Sequence, residues 1–238
     1  INIFINYKMR VINRNGEEED IQFDKITNRI KRLNSEDSVV DPVKISQKVV
    51  SQLSDKITTQ ELDELSGILC MEMIDQHPDY GKLGARISID NLHKNTQYTF
   101  FTCCEKLYNN KDVLGNHSPL INENIWNIAQ HNKDDIESMI DYTRDFKLNY
   151  FGFQTLLKSY LLRVRKVVVE RPQHLFMRVA LCIHGTNFEL VQETYDLLSN
   201  LEMIHATPTL FHAGTPYQQL CSCFLNTTPD SVEGIFDT

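Results

Sequence analysis

Two groups of residues in this sequence could carry chemistry, and the first is a set of basic side chains near the start. Lys25, Arg29 and Arg32 recur at helical spacing, and Arg14 lies in a turn before them. Such a helix face is often merely solvated. Arginine and lysine beside a turn with free backbone N–H groups also form sites for phosphate groups. The spacing alone leaves both interpretations open.

The second group is the cysteine pair Cys221 and Cys223, which flank Ser222. Zinc would need further ligands, and the nearby His205 and His212 match no standard zinc spacing, so we expect no metal site. Buried packing thiols are the simplest alternative. On a strand the two Cα atoms would lie about 7 Å apart, too far for an unstrained disulfide, so a redox role predicts a partner thiol elsewhere.

Composition narrows the class of protein. The chain has 238 residues, 41% of them hydrophobic and 24% charged, which is enough for one or two folded domains. A net charge of −8 argues against a general nucleic-acid or membrane surface, and no apolar run reaches the roughly 20 residues of a membrane helix. Residues 1–33 are locally basic, with seven Lys or Arg against five Asp or Glu. This pattern favours a site for one anion, such as a nucleotide.

The six cysteines and the first residues bear on the compartment. We expect no signal peptide, so the cysteines indicate a reducing, cytoplasmic setting rather than a disulfide framework. Cys103, Cys104 and Cys182 are expected to be packing residues. Met9 opens the first motif and is a candidate start, with residues 1–8 upstream of it.

The elements that must position these residues are mostly helices. A hairpin is predicted over 9–23 around Asn15-Gly16, and it is followed by four helices. These are expected to begin at Asp24, at Pro42, at a Thr58/Glu61 capping box and at Pro78, the last running to Asn95.

The rest of the chain continues the helical pattern. Residues 96–118 are expected to form a junction, and 163–170 a short strand or hairpin arm. Helices are predicted over 119–142, 151–162, 172–185 and 188–200. Farther on we expect a loop at 206–210, a buried strand at 220–225 and a final helix capped by Asp230 with Glu233. The predicted class is mainly α with small β elements, and a strand, loop and helix that would open an α/β domain.

Several stretches in order resemble the ATP-cone, a regulatory nucleotide-binding domain of ribonucleotide reductases. They are Val11–Gly16, Phe23–Ile26, Thr58–Asp63, His77–Tyr80, Ala85–Ile87 and Asn91–Lys94. The resemblance implies that the effector ATP or dATP contacts Asn13, Arg14, Glu19, Asp20, Ile21, Gln22, Phe23, Asp24, Lys25, Thr59 and Lys94. It also implies that Asp63 couples this site to activity. Asn13 departs from the lysine common at its position.

The remaining sequence resembles the large subunit of class I ribonucleoside-diphosphate reductase, of the eukaryotic and large-DNA-virus type. The matching stretches are Asn149–Phe153, Glu170–His174, His205–Thr215 and Cys223–Leu225. The resemblance implies an ATP-cone of a hairpin plus four helices at 9–98, a helical domain at 99–202, and the first strand of a truncated ten-stranded α/β barrel within 203–238.

The resemblance also assigns roles near the end of the chain. Cys223 would be a redox-active catalytic thiol, and Thr207 and Ser222 would bind substrate. Asp230, Ser231 and Val232 would begin a specificity site for a second effector, a deoxynucleoside triphosphate. Cys221 departs from the serine common there. The radical cysteine and the thiol partner of Cys223 would lie past Thr238, so we expect no reductase activity from this chain alone.

The partners that the family implies are a ribonucleoside diphosphate substrate, nucleotide effectors, and a metal-containing small subunit that supplies a radical. Thioredoxin or glutaredoxin would be the reductant, and large subunits would form a homo-oligomer. No nucleic-acid or membrane partner is expected.

Three alternatives stay open from the sequence. One is a stand-alone nucleotide-binding module, and another is a split or intein-interrupted gene product. The anaerobic glycyl-radical reductase shares the cone, but residues 207–225 argue against it.

Overall fold

The computed structural model describes residues 9–36 and 38–237, and within them two compact units. One unit combines the described residues up to Tyr98 with Asp141–Pro172, and the other combines Thr99–Ile140 with the described residues from Gln173 onward. Residues 1–8, which precede the candidate start at Met9, lie outside the described residues. Thr238, the last residue of the predicted barrel segment, also lies outside them. Because each unit draws on two separate stretches, the predicted division at residues 98 and 202 stays a prediction.

The first unit begins with a small sheet of strand order β2-β1-β3. β1 (Arg10–Ile12) pairs antiparallel with β2 (Glu18–Asp20) and parallel with β3 (Ile57–Thr58). The hairpin predicted around Asn15-Gly16 is confirmed, and its second strand is Glu18–Asp20. The side-chain oxygen of Asn13 accepts hydrogen bonds from the backbone N–H groups of Asn15 and Glu17 and closes the turn.

Four helices complete the cone. The capping box predicted at Thr58 is present: Thr58 Oγ1 accepts the Glu61 N–H at 3.1 Å, and Glu61 Oε2 accepts the Thr58 N–H at 2.9 Å. The predicted apolar stripes meet in one core, in which Ile30, Ile45 and Leu69 are almost fully buried. The helices are α1 (Phe23–Leu33), α2 (Pro42–Ser51), α3 (Thr59–Glu72) and α4 (Asp79–Asn95).

Residues 141–172 add a second layer against α4. His93 Nε2 lies 2.6 Å from Asp145 Oδ2, and Arg171 donates to the His93 carbonyl and to Thr96 Oγ1. The segment contains a 3₁₀ helix Tyr142–Lys147, α8 (Tyr150–Thr155), a π-helical turn Leu156–Tyr160, β4 (Arg163–Val164) and β5 (Val167–Val168). The structure therefore confirms a helical segment in the predicted range 151–162 and a short hairpin in the range 163–170.

The second unit is helical. Tyr195 donates to Gln173 Oε1 at 2.7 Å inside its core, where Cys103 and Cys104 are also buried as predicted. Its helices are α5 (Phe100–Tyr108), α6 (Glu123–His131), α7 (Lys133–Met139), α9 (Pro172–His184), α10 (Phe188–Ser199), α11 (Thr207–His212) and α12 (Val232–Phe236). The mainly helical class with few strands is confirmed.

Two helical predictions in this unit were wrong. The junction at 96–118 contains α5, whose buried Phe100, Cys103, Cys104 and Leu107 follow helical spacing. The single helix expected over 119–142 is two helices, because the backbone at Asn132 departs from helical geometry and Asn122 caps the first of them.

Three predictions near the end were also wrong. The loop at 206–210 is replaced by α11, because Pro208 fits its first turn. The buried strand at 220–225 is absent: residues 221–225 are exposed, and no described segment pairs with them. A strand is stable only beside a hydrogen-bonding neighbour. The cap of α12 is Ser231 rather than Asp230, and Ser231 Oγ accepts the Gly234 N–H at 3.0 Å.

Candidate functional site

Three cations from three elements converge on the buried carboxylate of Asp63. Arg14 Nη2, from the hairpin turn, lies 3.0 Å from Asp63 Oδ2, and Lys94 Nζ, from the end of α4, lies 3.7 Å from the same atom. Arg29, from α1, pairs with Asp63 Oδ1. The Asp63 side chain is 1% exposed, so this carboxylate is held almost entirely by its cationic neighbours. The sequence placed these residues far apart, and the fold collects them.

Burial depresses the basicity of all three cations. It lowers the pKa of Arg29 to about 10, with the neighbouring Arg14 and Arg32 charges acting in the same direction. It also lowers the pKa of Arg14 and, against the opposing effect of Asp90, that of Lys94. Partial removal of several like charges from water is unfavourable, and an added anion relieves it. The cluster therefore suits an anionic ligand.

A cavity of about 170 Å³ opens beside this cluster. It lies where the hairpin, the first turns of α1 and α3, and the end of α4 come together. Gln22, the residue before α1, makes no side-chain capping bond and lines the cavity, so the positive end of the α1 dipole lies beside it. The lining residues are Val11, Arg14, Glu19, Asp20, Ile21, Gln22, Lys25, Ile26, Arg29, Thr59, Leu62, Asp63 and Lys94.

Nine of the twelve residues expected at the effector site line this cavity, and Asn13, Phe23 and Asp24 do not. Asn13 instead closes the hairpin and donates to Glu17 and Glu19 at 3.0 and 2.6 Å. Phe23 is 45% exposed at the first position of α1.

Arg29 is the charged lining residue that the family resemblance missed. Its helical spacing from Lys25 was the available signal, but spacing could not show that Arg29 turns inward to Asp63.

The residues expected to handle substrate lie in the second unit. Thr207 begins α11, while Ser222 and Cys223 lie in the exposed segment that follows Leu220. Thr209 Oγ1 donates to the Leu220 carbonyl at 3.0 Å and ties this segment to α11. Cys221 and Cys223 are both exposed, free thiols.

Across 9–36 and 38–237, no group of three or more His, Cys, Asp or Glu is arranged to hold a metal ion. No helix in this part of the chain is both long and apolar enough to cross a membrane.

Comparison with known proteins identifies the class. Residues 9–95 match the family model described as the ATP cone domain, and residues 146–218 match that of the ribonucleotide reductase all-alpha domain. The chain thus combines an ATP cone domain with a ribonucleotide reductase all-alpha domain. The chain belongs to the ribonucleotide reductase large-subunit family and carries its N-terminal domains.

Curated relatives agree along almost the whole chain. The chain is 50% identical to "Ribonucleoside-diphosphate reductase large chain 2" of Saccharomyces cerevisiae over 234 residues, which cover 97% of the chain and 27% of that protein. It is 48% identical to the large subunits of Plasmodium falciparum and Monkeypox virus, covering 97% of the chain and 29% and 30% of those proteins. The chain therefore spans under a third of the length of these relatives.

Proposed function

We propose that the cavity beside Asp63 binds ATP or dATP as an allosteric effector. The convergence of Arg14, Arg29 and Lys94 on one buried carboxylate, next to the open N-terminus of α1, is the observation that carries this proposal. A triphosphate would accept hydrogen bonds from these cations and from the first N–H groups of the helix. The ATP cone match over residues 9–95 supports the same ligand class.

Calorimetric titration of the 238-residue chain with ATP and dATP tests the proposal. Arg14→Ala should weaken binding by roughly 10- to 100-fold, since a hydrogen bond to a charged group contributes about 1.5–3 kcal/mol. Lys25→Ala should weaken it by a smaller factor, because Lys25 also lines the cavity but is more exposed. The exposed Lys106→Ala, in the other unit, is the matched control. Absence of binding at millimolar nucleotide would refute the proposal.

We further propose that the full-length protein reduces ribonucleoside diphosphates to deoxyribonucleoside diphosphates. Cys223 would be one of two thiols that become a disulfide, releasing the two electrons and two protons with which the 2′-hydroxyl departs as water. Thr207 and Ser222 would bind the substrate, and Asp230, Ser231 and Val232 would begin the specificity site for a second effector nucleotide. The support is the 48–50% identity to reductase large subunits over 97% of the chain.

The same relatives support the proposed partners. The full-length protein would work with a radical-generating small subunit that holds a metal, take reducing equivalents from thioredoxin or glutaredoxin, and form a homo-oligomer in the cytoplasm. The domain limits 9–98, 99–202 and 203–238 belong to this proposal. Identity over nearly the whole chain favours a reductase subunit over an independent regulatory module.

A further inference from the structure

A second, larger cavity in the first unit is separate from the effector site. It measures about 640 Å³ and lies between α3 and α4 on one side and the α8 to β5 segment on the other. This volume falls within the 300–1,000 Å³ typical of small-molecule pockets. None of the nucleotide contacts expected from the sequence, and none of the proposed substrate residues, lines it. We call it the hairpin cleft.

One wall of the hairpin cleft is basic. Lys158, Arg163 and Lys166 line it, and the carboxylate among the lining residues is Glu64. Within the described chain, none of these three cations forms an ion pair. Arg163 instead donates to the carbonyls of Leu157 and Lys166 and so fixes the wall. Three unneutralised cations lining one cleft, with Arg163 held in place between two exposed lysines, attract an anion even on a chain of net charge −8.

The lining of the hairpin cleft also includes amide and apolar surface. Asn91 and Asn95 supply side-chain amides, which suit the hydrogen-bonding edge of a heterocycle or sugar. Ile68 and Val167 line the cleft although they are 50% and 60% exposed, so a ring placed there would remove apolar surface from water. Tyr150 adds an aromatic ring whose hydroxyl hydrogen-bonds Ser88.

We propose that the hairpin cleft is a second ligand site, for a phosphorylated small molecule with an apolar planar ring, the chemistry of a nucleoside phosphate. Its phosphate groups lie against Lys158 and Lys166, and its ring lies against Ile68 and Val167. The cleft and the effector cavity are connected by hydrogen bonds. Arg14, which lines the effector cavity, donates to Asn91 Oδ1 at 2.8 Å and to Asn95 Oδ1 at 3.1 Å, and both asparagines line the cleft.

Backbone amide NMR of the 238-residue chain, titrated with ATP, tests this proposal because it reports each cavity separately. ATP should shift the amides of 157–168 in the unmodified chain and also in Arg14→Ala/Lys25→Ala, whose effector cavity is impaired. In the variant Lys158→Ala/Lys166→Ala, the ATP concentration at the midpoint of the 157–168 shifts should rise at least about tenfold. The amides of 22–25 should shift at the same ATP concentration as in the unmodified chain. The exposed pair Lys106→Ala/Lys111→Ala is the control and should change neither set.

The ligand class is tested with partial ligands. Adenosine has the ring without the phosphate groups, and sodium tripolyphosphate has the phosphate groups without the ring. Each should bind the cleft at least about tenfold more weakly than ATP. Equal binding of either one would overturn the ligand class. The site itself would be overturned if the amides of 157–168 did not shift at millimolar ATP. It would also be overturned if their shifts were the same in the double lysine variant as in the unmodified chain. If the effector proposal is wrong, the backbone amides of residues 22–25 will not shift when ATP is added, so the two proposals fail separately.

Discussion

At the scale of single residues, Asp63 holds together cations that would otherwise repel one another. Its carboxylate is 1% exposed and is contacted by Arg14, Arg29 and Lys94. Removing one partner from such a cluster leaves uncompensated charge in a poorly hydrated place, which costs more than the intact cluster contributes. A bound triphosphate would then take over part of the role of the carboxylate. Stability and nucleotide binding are thus linked at this residue.

Asp63→Asn should lower the free energy of unfolding by about 2 kcal/mol. This is below the ~3–5 kcal/mol for a fully buried pair, because Arg14 and Lys94 are about a third exposed and are screened by solvent. ATP should recover more stability in this variant than in the unmodified chain. Urea unfolding with and without ATP measures both effects. Asp75→Asn, at an exposed position of the same unit that lines neither cavity, is the control, and equal stability of the two variants would contradict the prediction.

Nucleotide affinity should fall as the pH rises from neutral through about 10. The pKa of Arg29 is lowered to about 10 and that of Lys94 is lowered from 10.5, so both lose their charge in a range where ordinary arginine keeps it. Stability moves the other way, since a folded pKa below the unfolded value makes the buried charge a cost that is relieved at high pH. Calorimetry across this range tests the affinity. Arg29→Gln should flatten the profile, and a flat profile in the unmodified chain would be contrary evidence.

At the scale of elements, the helix signals around Thr58 were confirmed, whereas the strand expected at 220–225 did not form. The capping box at Thr58 and the apolar stripe of α3 depend on neighbours within one helix, and the structure has both. The strand expected at 220–225 depends on a partner strand, which no local pattern could supply. The α5 helix was missed in the stretch assigned to a junction, although its buried Phe100, Cys103, Cys104 and Leu107 follow helical spacing.

The candidate site shows the same division. Family resemblance identified Arg14, Lys25 and Lys94, since those positions lie in recognisable stretches. The inward turn of Arg29 and the role of Asn13 in the hairpin follow from packing, which neither spacing nor resemblance encodes.

The close packing of α3 on α4 gives a prediction of its own. A Cβ at Gly84 would lie 3.0 Å from the Gly67 carbonyl oxygen and 3.2 Å from Cys70 Cβ, so backbone would have to move. A Cβ at Gly81, on the same helix, would mainly meet the terminal methyl of Ile74, which can rotate away. Both changes gain similar helix propensity, so Gly84→Ala should be less stable than Gly81→Ala by about 1–2 kcal/mol. Urea unfolding of the two variants measures this difference, and equal stability of the two would contradict the prediction.

At the scale of the whole molecule, the proposed effector residues and the proposed substrate residues lie in different units. Arg14, Asp63 and Lys94 meet within one unit. Cys223, by contrast, lies in an exposed segment of the other unit, and the relatives with reductase names are more than three times as long as the matched region. The proposed nucleotide binding can therefore be measured on this chain separately from the proposed reduction.

The isolated 238-residue chain should bind ATP but should not convert ribonucleoside diphosphates. Reduction needs a second thiol to close a disulfide with Cys223, and the exposed Cys223 is a free thiol here. The measurement is deoxyribonucleotide formation in the presence of dithiothreitol, with a full-length relative and its small subunit assayed alongside. Turnover by the isolated chain would disprove the prediction.

The interleaving of the two units has a consequence during synthesis. Tyr150 packs where α3 and α4 approach at Gly84, with its Cδ2 3.5 Å from the site of a Cβ there. A ribosome finishes α4 about 50 residues before it reaches Tyr150, which at 5–20 residues per second is a delay of roughly 3–10 s. During that interval the face of α4 that later receives α8 is open to chaperones. Slowed translation between residues 98 and 150 would lengthen this exposure, while the effector cavity, built entirely from earlier residues, could already bind nucleotide.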